Sequence, residues 1–306
     1  MPRDIRASWR SRRENGGFVM GDVHRPTCVI TGATSGIGFE TARQLAASGM
    51  GVIVIGRSAE KCRSAAAAIA SESPASTVRF AVADLSSLES VRDAAAEIKD
   101  LLPGGRLDRL ILNAATVSDR YIATQDGYEL QFAVNYLSSF LLTRELFPCL
   151  VRPREARLIS VSSGSHRRGR IDWKDPMLKR SYGRLKAYRQ SKLALALFTV
   201  ELGRRAAGRF PLRALGVEPG LVDTEIGEKS TRGLVRAYWK RRRKRGFSPA
   251  EAAGFIVRLA SETLPMIPGD YWRLDRPVEP SPYARRVDAA LRLWQLSERL
   301  CNADFL

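Results

Sequence analysis

The sequence predicts a single α/β domain built on a doubly wound parallel sheet. Three observations predict it. Strand-like and helix-like segments alternate along the chain, the strand-like segments are continuous apolar runs, and a glycine-rich turn follows the first of them. Continuous apolar strands belong to sheets covered on both faces, whereas half-exposed strands alternate apolar and polar residues.

Thr27–Thr31 (TCVIT) reads as the first strand, and Gly38–Ser48 as the helix that follows the glycine turn. Gly51–Ile55 (GVIVI) is a second strand. Ser58–Ala70 is an Ala-rich helix with Ser58 as its N-cap. Thr77–Ala83 is a third strand, and Ser86 with Glu89 has the spacing of a capping box that opens the next helix. Leu107–Asn113 is a fourth strand, Gly127–Leu150 a long helix and Arg157–Ser162 a fifth strand. A second long helix covers Tyr182–Ala207, and Leu212–Val217 is the sixth strand. Ser248, Pro249 and Glu251 supply an N-cap, a first-turn proline and a capping-box acid. Gly269–Trp272 reads as a short last strand.

At 306 residues with 44% hydrophobic composition, the chain can bury a full core. No apolar run reaches the roughly 18 residues of a membrane-spanning helix. Residues 1–25 read as a flexible basic tail without the apolar centre of a signal peptide, and Met20 lies close to where the domain starts. The domain proper is expected over 26–306, with a cytoplasmic location. Cys28, Cys62, Cys149 and Cys301 lack paired or metal-ligand spacing, and His24 and His166 are the two histidines, so no metal site is expected.

The net charge is +18. Part of it is local: Arg232, Arg236, Lys240, Arg241, Arg242, Arg243, Lys244 and Arg245 lie within 231–246 without an acid among them. Such a stretch suits nucleic acid, anionic lipid or an acidic ligand; a solvated helix in an Arg-rich composition is the plainer alternative. No nucleic-acid motif accompanies it, so no nucleic-acid partner is expected. Leu234, Val235, Tyr238 and Trp239 fall at helical spacing inside it.

The glycine turn reads TGATSGIG, Thr31–Gly38. Gly32 permits a tight turn, and Gly36 and Gly38 let backbone approach a pyrophosphate at the start of the helix. An acid at the end of the second strand would hold the ribose 2′-hydroxyl of NAD; here Gly56 and Arg57 stand there, and an arginine fork suits the 2′-phosphate of NADP. Asp84 after the third strand suits either an adenine amino group or the cap of the following helix. Asn113 ends the fourth strand, at the edge where such sheets bind ligands, and is equally a turn residue. Tyr188 and Lys192 lie one helical turn apart on one face. An ammonium near a phenol favours phenolate and so readies it for proton transfer. Ser163, 25 residues before Tyr188, ends the fifth strand and can donate to a substrate oxygen.

Together these segments resemble the short-chain dehydrogenase/reductase superfamily, and within it the retinol dehydrogenase-like branch that includes light-dependent protochlorophyllide reductases. Further matching stretches are ADL (83–85), LILNAA (110–115), QFAVNYLSSFLLT (131–143), ISVSSGSHRRGRIDW (159–173), YRQSKLALALFTVEL (188–202), EPGLVDT (218–224) and the tail at 280–300. The resemblance spans about Pro26 to Leu300. It implies a Rossmann fold and interconversion of a carbonyl and an alcohol with NADP(H), favoured over NAD(H). Tyr188 is implied as general acid/base, Lys192 as ribose ligand, Ser163 as carbonyl-orienting group, and Asn135 as holder of a water linking Lys192 to solvent. Ser163 is chosen over Ser162 because the family's serine is the second of the pair. Cofactor contacts are implied for Gly32, Ser35, Gly36, Ile37, Gly38, Arg57, Asp84, Leu85, Asn113, Ala115, Tyr188, Lys192, Pro219, Val222 and Thr224. Ala115 departs from the family's glycine and adds a methyl beside the cofactor's path.

By the same resemblance the basic 224–247 segment is an inserted lid over a bulky, apolar substrate, with 231–246 available for peripheral membrane contact. Pairing into a homodimer or tetramer would use the helices of Asn135 and Tyr188. Two other functions compete: a non-catalytic nucleotide-binding regulator, disfavoured by the intact Ser163, Tyr188 and Lys192, and a reductase of a C=C bond.

Overall fold

The computed structural model describes residues 25–223, 246–265, 267 and 270–306. The expected tail and most of the basic segment, including Thr224 and 231–245, lie outside the described residues.

One sheet of eight strands runs in the order β3-β2-β1-β4-β5-β6-β7-β8. The strands are β1 (Thr27–Thr31), β2 (Gly51–Gly56), β3 (Val78–Val82), β4 (Arg109–Leu112), β5 (Ala156–Val161), β6 (Leu212–Glu218), β7 (Tyr271–Arg273) and β8 (Arg276–Pro277). All neighbours pair in parallel except β7 with β8. This is the doubly wound Rossmann architecture. The order reverses between β1 and β4, which opens a crevice at their carboxyl ends.

Alternate residues of each strand face opposite layers. Val29, Ile53 and Ile55 join a core with helices α3 (Leu88–Leu101), α5 (Ser138–Leu150), α6 (Arg184–Ala206) and α8 (Val287–Cys301). Cys28, Ile30, Val52 and Val54 join a second core with α1 (Gly36–Ala47), α2 (Ala59–Glu72) and α7 (Pro249–Ser261). All four cysteines are buried and unpaired.

Local chemistry explains the helix starts. Ser58 caps α2 by accepting from the Lys61 amide, and Ser248 with Glu251 forms the expected capping box. The box expected at Ser86 and Glu89 does not form. The Asp84 carboxylate takes both the amide (2.9 Å) and the hydroxyl (2.7 Å) of Ser86, so the cap passes to Ser87, which accepts from Ser90. The long helix expected from Gly127 begins later, as α4 (Leu130–Phe132), because the buried Glu129 carboxylate caps the amides of Gln131 and Phe132. It then widens into a π turn, Ala133–Leu137, before continuing as α5.

Sequence reading did not place α8. Its Trp294 stacks on Phe198 of α6, with ring centroids 5.8 Å apart, and on Phe305 at 5.0 Å. Arg205 lies over the same indole at 4.1 Å.

Candidate active site

The carboxyl ends of β1, β4, β5 and β6 lie side by side and position four short segments. The first is the turn between β1 and α1. Gly32 and Gly36 hold φ of 66° and 58°, which glycine adopts without steric cost. A Cβ on Gly38 would collide with the Gly32 carbonyl oxygen and stand 2.5 Å from Asn113 Nδ2. The helix thus starts packed directly on the turn. Ser35, the N-cap, makes no side-chain cap bond, and the first turn of α1 carries no acid. Its free amides suit an anion, and the backbone cradle fits a dinucleotide pyrophosphate. Ile37, also expected at the cofactor, packs its side chain against the core on the α1 side.

The second segment follows β4. Asn113 Nδ2 donates to the carbonyls of Thr31 (2.9 Å) and Gly32 (3.3 Å), while Thr31 Oγ1 accepts from the amides of Asn113 (2.9 Å) and Ala114 (3.0 Å). Asn113 is therefore built into the glycine turn as a brace. Ala115 is not among the residues with positive φ, so its methyl brings no backbone strain. Arg57 directly follows β2 and is exposed, placed at the edge where the sequence expects it. Asp84 is engaged locally by the Ser86 amide and hydroxyl, while Ser87 and not Asp84 caps the helix that follows, and Leu85 packs its side chain against the core.

The third segment carries the proton-transfer candidates. Ser163 follows β5 and caps a short 3-10 turn, Gly164–Arg168. Its Oγ accepts from the Ser165 hydroxyl at 3.0 Å and lies near enough to the Tyr188 hydroxyl to influence its pKa. The Ser162 hydroxyl is buried near that of Tyr271, and neither hydroxyl makes a hydrogen bond among the described residues. Desolvation pushes the Tyr188 hydroxyl above the ordinary tyrosine range, and the neighbouring Ser163 hydroxyl acts in the opposite direction. Lys192 is 2% exposed, and its Nζ donates to the Val161 carbonyl at 2.9 Å. Burial lowers its pKa to about 8.

The sequence suggested that Lys192 would draw the Tyr188 pKa down. The geometry differs, because the ammonium is directed at β5 and desolvation decides the direction at Tyr188.

Asn135 lies in the π turn, fully buried. Its Oδ1 accepts from the Thr116 amide (2.7 Å), and its Nδ2 donates to the Thr116 carbonyl (3.0 Å) and Ser191 Oγ (3.0 Å). Both amide protons are thereby spent on protein partners, so the side chain clamps the post-β4 loop to α6. Single π turns of this kind occur frequently at functional sites.

The fourth segment follows β6. Pro219 is buried, and Val222 forms a single parallel bridge with Phe247. Thr224, expected at the cofactor, is outside the described residues.

Sequence reasoning missed Thr31, Ser165, Ser191, His166 and Glu218. The first three are small hydroxyls that carry no signal of their own. His166 and Glu218 were visible inside SSGSH and EPG, directly after strands, and their partnership is a product of the fold.

The profile described as short chain dehydrogenase matches residues 26–234. Human (Homo sapiens) retinol dehydrogenase 13 is 37% identical over 91% of this chain and 85% of its own length. Polyprenol dehydrogenase of Mus musculus is 36% identical over 90% of this chain and 83% of its own. A crystal structure of an uncharacterized protein from Mycobacterium Paratuberculosis superposes with a TM-score of 0.69 at 35% identity, covering 92% of this chain and 95% of that one. With the strand order, the glycine turn and these relatives in agreement, the chain belongs to the short-chain dehydrogenases, an oxidoreductase family, in its retinol dehydrogenase-like branch.

Proposed function

We propose that the protein interconverts a carbonyl and an alcohol with NADP(H), with Tyr188 moving the proton. The observation that carries this reading is the proximity of the Ser163 and Tyr188 hydroxyls, with Lys192 one helical turn further along the same helix. The residues of the crevice fit a dinucleotide: the uncapped start of α1 for the pyrophosphate, Arg57 for a 2′-phosphate, and Lys192, Pro219 and Val222 toward the nicotinamide end. When bound, it supplies the hydride.

The chain's own groups do the rest. Ser163 donates to the carbonyl oxygen as charge builds there. Tyr188, protonated at neutral pH as any phenol is and held so more firmly by desolvation, gives its proton to that oxygen. The protonated phenol is the form that reduction uses, and alcohol oxidation, which releases a proton, gains as pH rises. The names of the relatives point to long isoprenoid alcohols and their carbonyl forms as the first substrates to try.

Fluorescence titration with NADPH and NADH, followed by turnover of such substrates, tests the reading. Arg57→Ala should weaken NADPH binding by about ten-fold, in line with loss of a charge-assisted contact, and leave NADH unaffected. Tyr188→Phe should lose turnover by several orders of magnitude and keep cofactor binding. Unchanged turnover in Tyr188→Phe rejects the mechanism.

A further inference from the structure

Directly behind Ser163 lies a buried polar cluster that the proposed chemistry does not use. The His166 ring is fully buried within it. Its Nδ1 is 2.8 Å from the Ser163 carbonyl oxygen, and its Nε2 is 3.3 Å from the Ser281 amide. A carbonyl only accepts and an amide only donates, so the partners fix the ring as the neutral tautomer with its proton on Nδ1.

Charged and polar groups from its own turn, β6, β7 and the 279–281 segment surround the ring. Glu218, ending β6, stands 3.6 Å from Nδ1, and its two carboxylate oxygens are engaged by Arg167 (2.9 Å) and by Arg273 of β7 (3.1 Å). Tyr271 of β7 tilts against the ring at 5.3 Å. Arg167 reaches on to the Glu279 carbonyl at 3.0 Å. The turn has little slack, since a Cβ on Gly164 would stand 3.2 Å from Glu218 Oε2.

We infer that His166 is a positioning residue for Ser163. Its two ring nitrogens pin the backbone of the Ser163 turn to the 279–284 segment before α8, and so fix where the Ser163 hydroxyl meets the substrate oxygen. This rests on the reading of Ser163 as the group that receives that oxygen.

Protonation would break the pin, because an Nε2–H would face the Ser281 N–H. Burial holds the His166 pKa below the ordinary histidine value, with Arg167 and Arg273 acting the same way against the Ser163 carbonyl and Glu218. The neutral ring is thus kept through neutral pH, and activity should fall on an acid limb that lies below the ordinary histidine range.

Two amide variants divide the pin. In His166→Asn the side-chain amide can replace Nδ1 toward Ser163 and loses Ser281; in His166→Gln it can replace Nε2 toward Ser281 and loses Ser163. With NADPH binding unchanged in both, His166→Gln should lower kcat about 10- to 100-fold, as a displaced reacting group does, and speed hydrogen exchange over 163–169. His166→Asn should fall less, by about three-fold, and lose the acid limb.

Ser163→Ala run alongside keeps the two readings apart. Full turnover in Ser163→Ala overturns the assignment of Ser163, and the pin's catalytic purpose with it. Loss in Ser163→Ala together with wild-type kcat and exchange in His166→Gln overturns the pin alone.

Discussion

Lys192 carries an ammonium into a buried place, where it donates to the Val161 carbonyl. Burial lowers its pKa from 10.5 to about 8, and the shift is a statement about stability. A base whose folded pKa lies below its unfolded value destabilises the fold wherever the unfolded chain binds the proton more tightly. Here the penalty is full below about pH 8 and fades as the pH rises toward 10.5. Its size is up to about 3 kcal/mol at 1.36 kcal/mol per unit. Lys192→Met should therefore raise the melting temperature at pH 7 while abolishing turnover, and the gain should shrink between pH 8 and 10. Thermal denaturation at three pH values reads this directly. A lower melting temperature at pH 7 would mean that the Val161 bond outweighs desolvation. The residue is thus kept in spite of its effect on the fold, as a functional group is.

Among the elements, the start of α1 leaves no room for an added methyl. Gly38→Ala places a methyl against the Gly32 carbonyl and the Asn113 amide, neither of which is the free end of a flexible chain. The expected result is loss of nucleotide binding together with a drop in stability of 1–3 kcal/mol, the ordinary range for overpacking, read by titration and urea denaturation.

This turn was legible in the sequence because glycines at Gly32, Gly36 and Gly38 are required by backbone geometry. Ser58 and Ser248 were legible as caps for a similar reason, since a cap depends on neighbours in sequence. Ser86 was misread because Asp84 competed for it across one turn. The π turn around Asn135 was invisible, since nothing in AVNYL distinguishes it from regular helix. Helix α8 was also missed, although Ala289, Ala290, Leu293, Trp294, Ser297 and Cys301 recur at helical spacing on its buried face. The network of His166 with Ser281 joins residues 115 positions apart, which no local pattern encodes.

For the molecule as a whole, the decisive feature is what α8 covers. Pairing through the helices of Asn135 and Tyr188 needs their outer faces, yet Trp294 and Phe305 already pack on Phe140 of α5, and Trp294 stacks on Phe198 of α6. A second copy docking there must displace an aromatic cluster or use a different part of those helices. Sedimentation equilibrium should therefore report a monomer at micromolar concentration, and self-repulsion at a net charge of +18 acts in the same direction at low salt. A dimer that persists in Trp294→Ala and in the unaltered protein alike would place the interface away from this face.

The buried cysteines give the fold a clock. Burial raises all four thiols above their ordinary range, Cys301 to about 12, and only the thiolate attacks a labelling reagent. A maleimide therefore marks each cysteine at the rate at which its own surroundings open. Cys28 sits in β1 at the heart of the sheet, and Cys301 ends α8. Mass spectrometry of timed samples should show Cys301 marked first and Cys28 last, which would time the unlatching of the C-terminal helix separately from collapse of the sheet. Marking of both at one rate would make the helix and the sheet a single cooperative unit.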